Sequence, residues 1–105
     1  EAYLIAAEAL GAGAGDAIFN AYRARRGMTT VLPASVDNIL RERRVEFMAE
    51  GHRFFDLKRL GRDVTKPAAA GVPTLPYADF RMLPRIPQSE INLSQGVLVQ
   101  NPGYN

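Results

Sequence analysis

The chain contains no cysteine and only one histidine, His52. Without cysteine, disulfides and thiolate metal sites are excluded within the chain, and the redox compartment is undetermined. A hydrolytic zinc site usually takes a second His or a Cys. On a helix His52, Glu50 and Asp56 point in different directions, and only Asp56 stands one turn from His52, so no metal is expected. No Ser or Asp can be tied to His52 to build a triad either. No run approaches the ~20 apolar residues of a membrane-spanning helix, and no signal-peptide pattern is present. Charge of one sign is also missing. Thirteen Lys and Arg against eleven Asp and Glu leave a net charge of +2. Arginines crowd residues 23–62, but carboxylates are interleaved with most of them. A nucleic-acid face needs a one-signed stripe. Alternating charge marks a solvated or internally paired helix face instead.

What is present suits one modest domain: 105 residues with a hydrophobic fraction of 47%, ordinary for a globular protein. EAYLIAAEAL begins in mid-pattern with no capping residue ahead of it, so the chain is expected to be the C-terminal piece of a longer polypeptide. Residues 1–10 are rich in Ala and Leu, strong helix formers. GAGAG at 11–15 breaks that helix. Asp16 is a suitable N-cap for a second helix to about Arg26, and Gly27 is placed to end it in a left-handed position. No strand precedes GAGAG and no GK[ST] follows, so it is a helix-joining loop and not a phosphate cradle. The short break predicts an antiparallel helical hairpin over 1–27, with small residues at the contact. It has the size of a tetratricopeptide-type unit, although one copy cannot tell that unit from an unrelated hairpin.

Ser35 can cap a long helix over 35–61, carrying ILRERRVEFMAEGHRFFDLKRLG. At 100° per residue Val36, Ile39, Leu40, Phe47, Phe54 and Leu57 share a face. Val45, Ala49 and Leu60 line nearly the opposite side, and a helix apolar on two sides is normally packed on both. Gly51 inside it costs roughly 1 kcal/mol relative to Ala and marks a kink or a close contact. Arg43, Glu46, Glu50 and Arg53 form a ridge at spacings of three and four, with Asp56 one step beyond. One reading pairs Glu46 and Glu50 as acid and base. A general acid near neutral pH needs surroundings that hold its proton, whereas each of these carboxylates has an arginine within one turn. The ridge is therefore read as structural, with its surplus guanidinium donors reaching backbone carbonyls of neighbouring segments.

All of the seven prolines but Pro33 lie between Pro67 and Pro102, so residues 62–105 cannot be mainly helical. A short amphipathic piece near Tyr77–Met82 fits the pattern. RMLPRIPQSEI reads as extended chain, and its hydrophobes predict a docked tail rather than a free linker. Tyr77 and Phe80 beside Arg81 are weak candidates for stacking on a sugar or peptide. The more ordinary role of such residues is to anchor their own loop. The fold class is thus mainly α: a tetratricopeptide-like helical hairpin and a long helix, with a Pro-rich irregular C-terminal lobe. No catalytic set and no cofactor site emerge.

Two blocks together resemble the C-terminal region of the SusD/RagB family of nutrient-binding outer-membrane lipoproteins. The first is the 39–61 segment, similar to that family's ERR-x-E helix leading into EG-x-R-aromatic-x-DL-x-R. The second is LPRIPQSEI followed by QNPGY at 100–104. The opening AYLIAAEAL with NAYRARRG also resembles the family's last tetratricopeptide-like hairpin. Ala49 stands where an aromatic is frequent, Phe54 where Trp is common, and Arg85 where a Pro usually precedes IP.

The resemblance implies a helical-hairpin bundle with a loop-rich lobe. It implies non-catalytic capture of oligosaccharide or peptide at the extracellular face of the outer membrane. The protein would act there as the lid of a TonB-dependent transporter, anchored by a lipid on an upstream Cys. It transfers no ligand residue, because the matching motifs are structural ones. The alternatives are an intracellular helical-repeat scaffold for a protein partner and a small hydrolase using Glu46 or Glu50.

Overall fold

The computed structural model describes residues 1–64 and 75–104. The part of the expected irregular lobe at 65–74, and residue 105, lie outside them. The chain divides into two compact units, residues 1–56 and 57–105.

The first unit opens with α1, Ala2–Leu10, and α2, Asp16–Arg25. They form the expected hairpin, in which Gly15 allows the closest approach. A Cβ there would lie 2.4 Å from the Ala7 carbonyl oxygen and 2.7 Å from that of Gly11. Asp16 departs from its expected role. Gly15 is the N-cap, and the Asp16 carboxylate instead accepts from the backbone N–H of Gly13 at 3.0 Å and of Ala34 at 2.7 Å. One side chain thereby ties the hairpin loop to the connector that follows α2. At the other end α2 closes on Gly27 (φ 76°), with Gly27 N–H bonded to the Ala24 carbonyl and Met28 N–H to that of Arg23. This is a Schellman termination, and it needs the left-handed conformation that glycine adopts without a Cβ penalty.

The connector at 28–35 is held by Asn20, whose amide accepts from Leu32 N–H at 3.0 Å and donates to the Leu32 carbonyl at 2.8 Å. Ser35 then caps α3, Val36–Glu46, its hydroxyl accepting from Asn38 N–H at 3.3 Å. Leu4, Ala7, Phe19, Tyr22, Ala34 and Ile39 form the core, with Ile18, Leu32 and Phe47 packed against it. Every element of this unit up to α3 contributes to that cluster.

The single long helix expected over 35–61 is two helices. α3 ends at Glu46, and α4 runs His52–Arg59. Between them Ala49 (φ 69°) and Gly51 (φ 79°) both stand in the left-handed region, which a right-handed helix cannot pass through. Gly51 marks this break, and its propensity cost inside a helix understates its effect. The second apolar strip is correspondingly not packed as expected: Val45 and Ala49 are exposed. Ile39, Leu40 and Leu57 from the first face are buried, while Val36 is exposed.

In the second unit, α4 ends in another Schellman pair: Gly61 N–H to the Lys58 carbonyl and Arg62 N–H to that of Leu57. Val64 and Leu75 exchange both backbone hydrogen bonds, at 2.9 and 3.0 Å, as one isolated antiparallel bridge. The amphipathic piece near Tyr77–Met82 is a turn of 3-10 helix, Phe80–Met82, capped by Asp79. RMLPRIPQSEI begins in that turn and is extended only from Leu83 to Pro87. Its end enters α5, Gln88–Leu93, with Pro87 at the N-cap. A proline there withholds no hydrogen bond that the helix needs, so proline density hid a helix start. Among the described residues no helix is long and apolar enough to cross a membrane.

Two substitutions test the backbone argument by denaturant unfolding. Gly15→Ala is expected to destabilise by about 1–3 kcal/mol, because backbone must move to admit the methyl. Gly51→Ala, with open space around its Cβ position, is expected to lose about 1 kcal/mol from its positive φ alone. Ala49→Gly is expected to be near neutral, since relieved strain and added unfolded-state freedom are each about 0.5–1 kcal/mol and oppose one another.

Candidate functional site

The break between α3 and α4 decides where the charged ridge goes. Along a continuous helix Arg43 and Asp56 would be separated by about 20 Å. Here Arg43 Nε donates to Asp56 Oδ2 at 2.8 Å, and both side chains are buried. Arg43 also has Glu1 at 3.6 Å and lies 5.0 Å from the centre of the Phe47 ring. Arg53, likewise thirteen positions along from its partner, donates to the Leu40 carbonyl at 3.2 Å. Its pKa is lowered first by burial and then by the nearby Arg44, an effect that Asp56 partly offsets.

The expected pairs Arg43–Glu46 and Glu50–Arg53 are replaced by longer-range ones. Glu46 pairs with Arg26 and accepts a 3.0 Å hydrogen bond from the Tyr22 hydroxyl. Burial, and then that bond, raise the pKa of Tyr22. Glu50 is an exposed carboxylate with His52 Nε2 at 3.8 Å. Glu46 and Glu50 therefore answer to different partners and do not converge as an acid and base. His52 lies beside the Phe47 ring at 5.0 Å, while Asp56 is taken by Arg43. Among the described residues no group of three His, Asp or Glu could hold a metal ion.

The periodicity argument missed the buried pair Arg23–Glu42, in which Arg23 also reaches the Thr30 carbonyl with two N–H groups at 3.4 Å. A signal existed, because Glu42 stands three residues beyond buried Ile39 and on its face.

The three weak ligand candidates lie in the second unit. Tyr77 N–H donates to Asp63 Oδ1 at 2.8 Å, its ring is about half exposed, and its hydroxyl makes no hydrogen bond among the described residues. Phe80 packs edge-on against Tyr104 at 5.0 Å. Gly103 lies so close above it that a Cβ would come within 2.5 Å of the ring. Arg81 forms a fork with Asp79 at 2.8 and 2.7 Å, and this charge-assisted contact holds the Asp79 carboxyl down at about 2.

The QNPGY ending is a clasp on this lobe. Gln100 donates to the Ile86 carbonyl and accepts from Ile86 N–H, each at 2.9 Å. Asn101 donates to the Pro84 carbonyl at 2.6 Å, and the Tyr104 hydroxyl to that of Leu83 at 3.0 Å. Four hydrogen bonds from three residues thus secure a segment whose prolines have few donors of their own.

With this geometry in view, the SusD family model matches residues 1–104. The chain belongs to the SusD family. Among solved structures, this SusD-family chain is similar to surface glycan-binding protein A from Bacteroides thetaiotaomicron. That match has 36% identity and a TM-score of 0.79, over 95% of this chain and 22% of the other. It is also similar to a SusD superfamily protein from Bacteroides vulgatus, at 32% identity and a TM-score of 0.77, over 98% of this chain and 26% of that one. The chain therefore spans about a quarter of the length of these solved relatives. None of the curated proteins matches it. The helical fold agrees with the mainly α expectation.

Two outcomes test the electrostatic assignments. Arg43→Ala leaves Asp56 buried without its guanidinium and is expected to cost about 3–5 kcal/mol in denaturant unfolding. Asp79, depressed from its ordinary 3.8 to about 2, favours the folded lobe above pH 3.8 and loses that contribution as pH falls through about 2. A carboxyl-carbon NMR titration should place its midpoint near 2, and Arg81→Gln should return it toward 3.8.

Proposed function

We propose that this SusD-family chain is part of a non-catalytic glycan-capturing protein at the outer-membrane surface, serving as the lid of a TonB-dependent importer. The observation that carries the reading is the 36% identity with a surface glycan-binding protein over 95% of the chain. The carboxylates support it chemically: Glu46 is held by Arg26 and Tyr22, Glu50 stands exposed beside His52, and the two do not converge as an acid and base. The wider pocket and the membrane anchor belong, in this reading, to the rest of the polypeptide.

Within this chain, Tyr77 is the strongest of the three contact candidates. Its half-exposed ring and unengaged hydroxyl offer both a stacking face and a hydrogen bond to a sugar. Phe80 and Arg81 hold the loop in shape through Tyr104 and Asp79.

Isothermal titration calorimetry on the full-length protein, against glycans selected by array, tests the proposal. Binding without any change in the glycan is expected, and Tyr77→Ala is expected to weaken it about tenfold. Turnover of a bound glycan, or an array with no hits, would overturn the reading. Unchanged affinity in Tyr77→Ala would remove Tyr77 from the site while leaving glycan capture in place.

A further inference from the structure

A groove of about 490 Å³ opens where α3 gives way to the 47–51 turn and α4 begins. Its walls include Arg43, Arg44 and Arg53 together with Phe47 and Met48, and among the described residues no carboxylate lines it. The three arginines are not equivalent. Arg43 is neutralised by buried Asp56, with Glu1 at 3.6 Å. Arg53 spends one N–H on the Leu40 carbonyl, and Asp56, already bonded to Arg43, offsets only part of the effect of burial and of Arg44 on it. Arg44 makes no hydrogen bond or ion pair among the described residues, and it stands near enough to Arg53 to lower that residue's pKa.

Elsewhere in the chain Arg23, Arg26 and Arg81 each hold a carboxylate. Arg44 and Arg53 share a groove and have none. Glu42 and Glu46, two positions to either side of Arg44, are held by Arg23 and by Arg26 with Tyr22, and Glu50 is largely exposed beside His52.

Two guanidiniums with spare donors, one exposed on Arg44 and one half-buried on Arg53, form a receptor for a planar or tetrahedral oxyanion, which accepts several N–H bonds at once. Such bonds are stronger than neutral ones, and they gain further where solvent is partly excluded. The remaining wall is apolar. Met48 is 79% exposed, and with the flexible, polarizable thioether and the Phe47 ring it suits the C–H face of a pyranose. The volume falls within the ordinary range for small-ligand sites, enough for a sugar unit or two.

We propose that this groove binds the anionic group of an acidic glycan, a uronate carboxylate or a sulfate ester, through Arg44 and Arg53. The proposal rests on the glycan-capture reading above and adds the ligand's charge class and its point of attachment. Its residues are not those of the Tyr77 loop.

The test uses the full-length protein and an array holding neutral, uronate-bearing and sulfated oligosaccharides, followed by calorimetry on matched pairs. One such pair is an oligogalacturonate and its methyl ester. The charged member is expected to bind at least about tenfold more tightly, the scale of a charge-assisted hydrogen bond, with affinity falling as salt rises. Arg44→Gln removes an exposed side chain without a partner and is expected to fold normally by circular dichroism. It should abolish that preference while leaving neutral-glycan binding unchanged.

Arg53→Gln should do the same, and if it fails to fold, Arg44→Gln alone decides. The ratio between uronate and sulfate binding identifies which oxyanion the groove takes. Equal affinity for charged and neutral partners overturns this inference and leaves glycan capture standing. A charge preference that survives Arg44→Gln also overturns it, because the anion would then sit elsewhere. An array without hits of either kind overturns the underlying glycan reading instead.

Discussion

The buried Arg43–Asp56 pair is the constraint on which the first unit turns. Two groups thirteen residues apart meet at 2.8 Å, so the backbone between them has to reverse its course. That requirement places Ala49 and Gly51 at positive φ and divides a segment of strong helical periodicity into α3 and α4. Arg53 on the Leu40 carbonyl spans the same interval and fixes the same geometry. Desolvation offsets much of the Coulombic gain of such a pair. Its larger effect is positional, because an unpaired charge in either side chain's buried place would be far costlier than the pair.

Both units also tie irregular chain by the same device. Asn20 clamps Leu32, and Gln100 clamps Ile86, each side-chain amide donating to the carbonyl and accepting from the N–H of one residue. An amide can stand in for one rung of a β ladder because it carries both a donor and an acceptor. The segments so held include Pro33 on one side and Pro84 and Pro87 on the other, where a regular ladder would lack N–H donors. Asp16 and Asn101 extend the device with hydrogen bonds to Ala34 and Pro84. The conspicuous polar residues of this chain are mostly spent on holding backbone.

That expenditure narrows where recognition can occur. Of the two carboxylates that might have formed an acid–base pair, Glu46 is committed to Arg26 and Tyr22, and Glu50 stands exposed beside His52. Among the described residues, those not so committed include the half-exposed Tyr77 ring and the two guanidiniums of the 47–51 groove. Both suit non-covalent contact, in keeping with a family whose solved members include a surface glycan-binding protein.

Local signals were legible in the residues themselves. The hairpin over 1–27, the Schellman end at Gly27, the Ser35 cap, the helix stop at Gly61 and the family blocks all follow from near-neighbour chemistry, where each residue's partner lies within a turn. The interior pairs were not legible in that way. Periodicity set Arg43 on a charged ridge with Glu46 within one turn, but nothing local could tell that the helix would break and deliver Asp56.

The α5 start was concealed among prolines, and the partners of Arg23 and Glu42 lay on different helices. The sequence by itself determined helix-forming segments, stops and family. The tertiary structure alone decided which charges meet and which are left over in the groove. Ion pairing in a low-dielectric interior depends on through-space distance, and that distance exists only once the chain has turned back on itself.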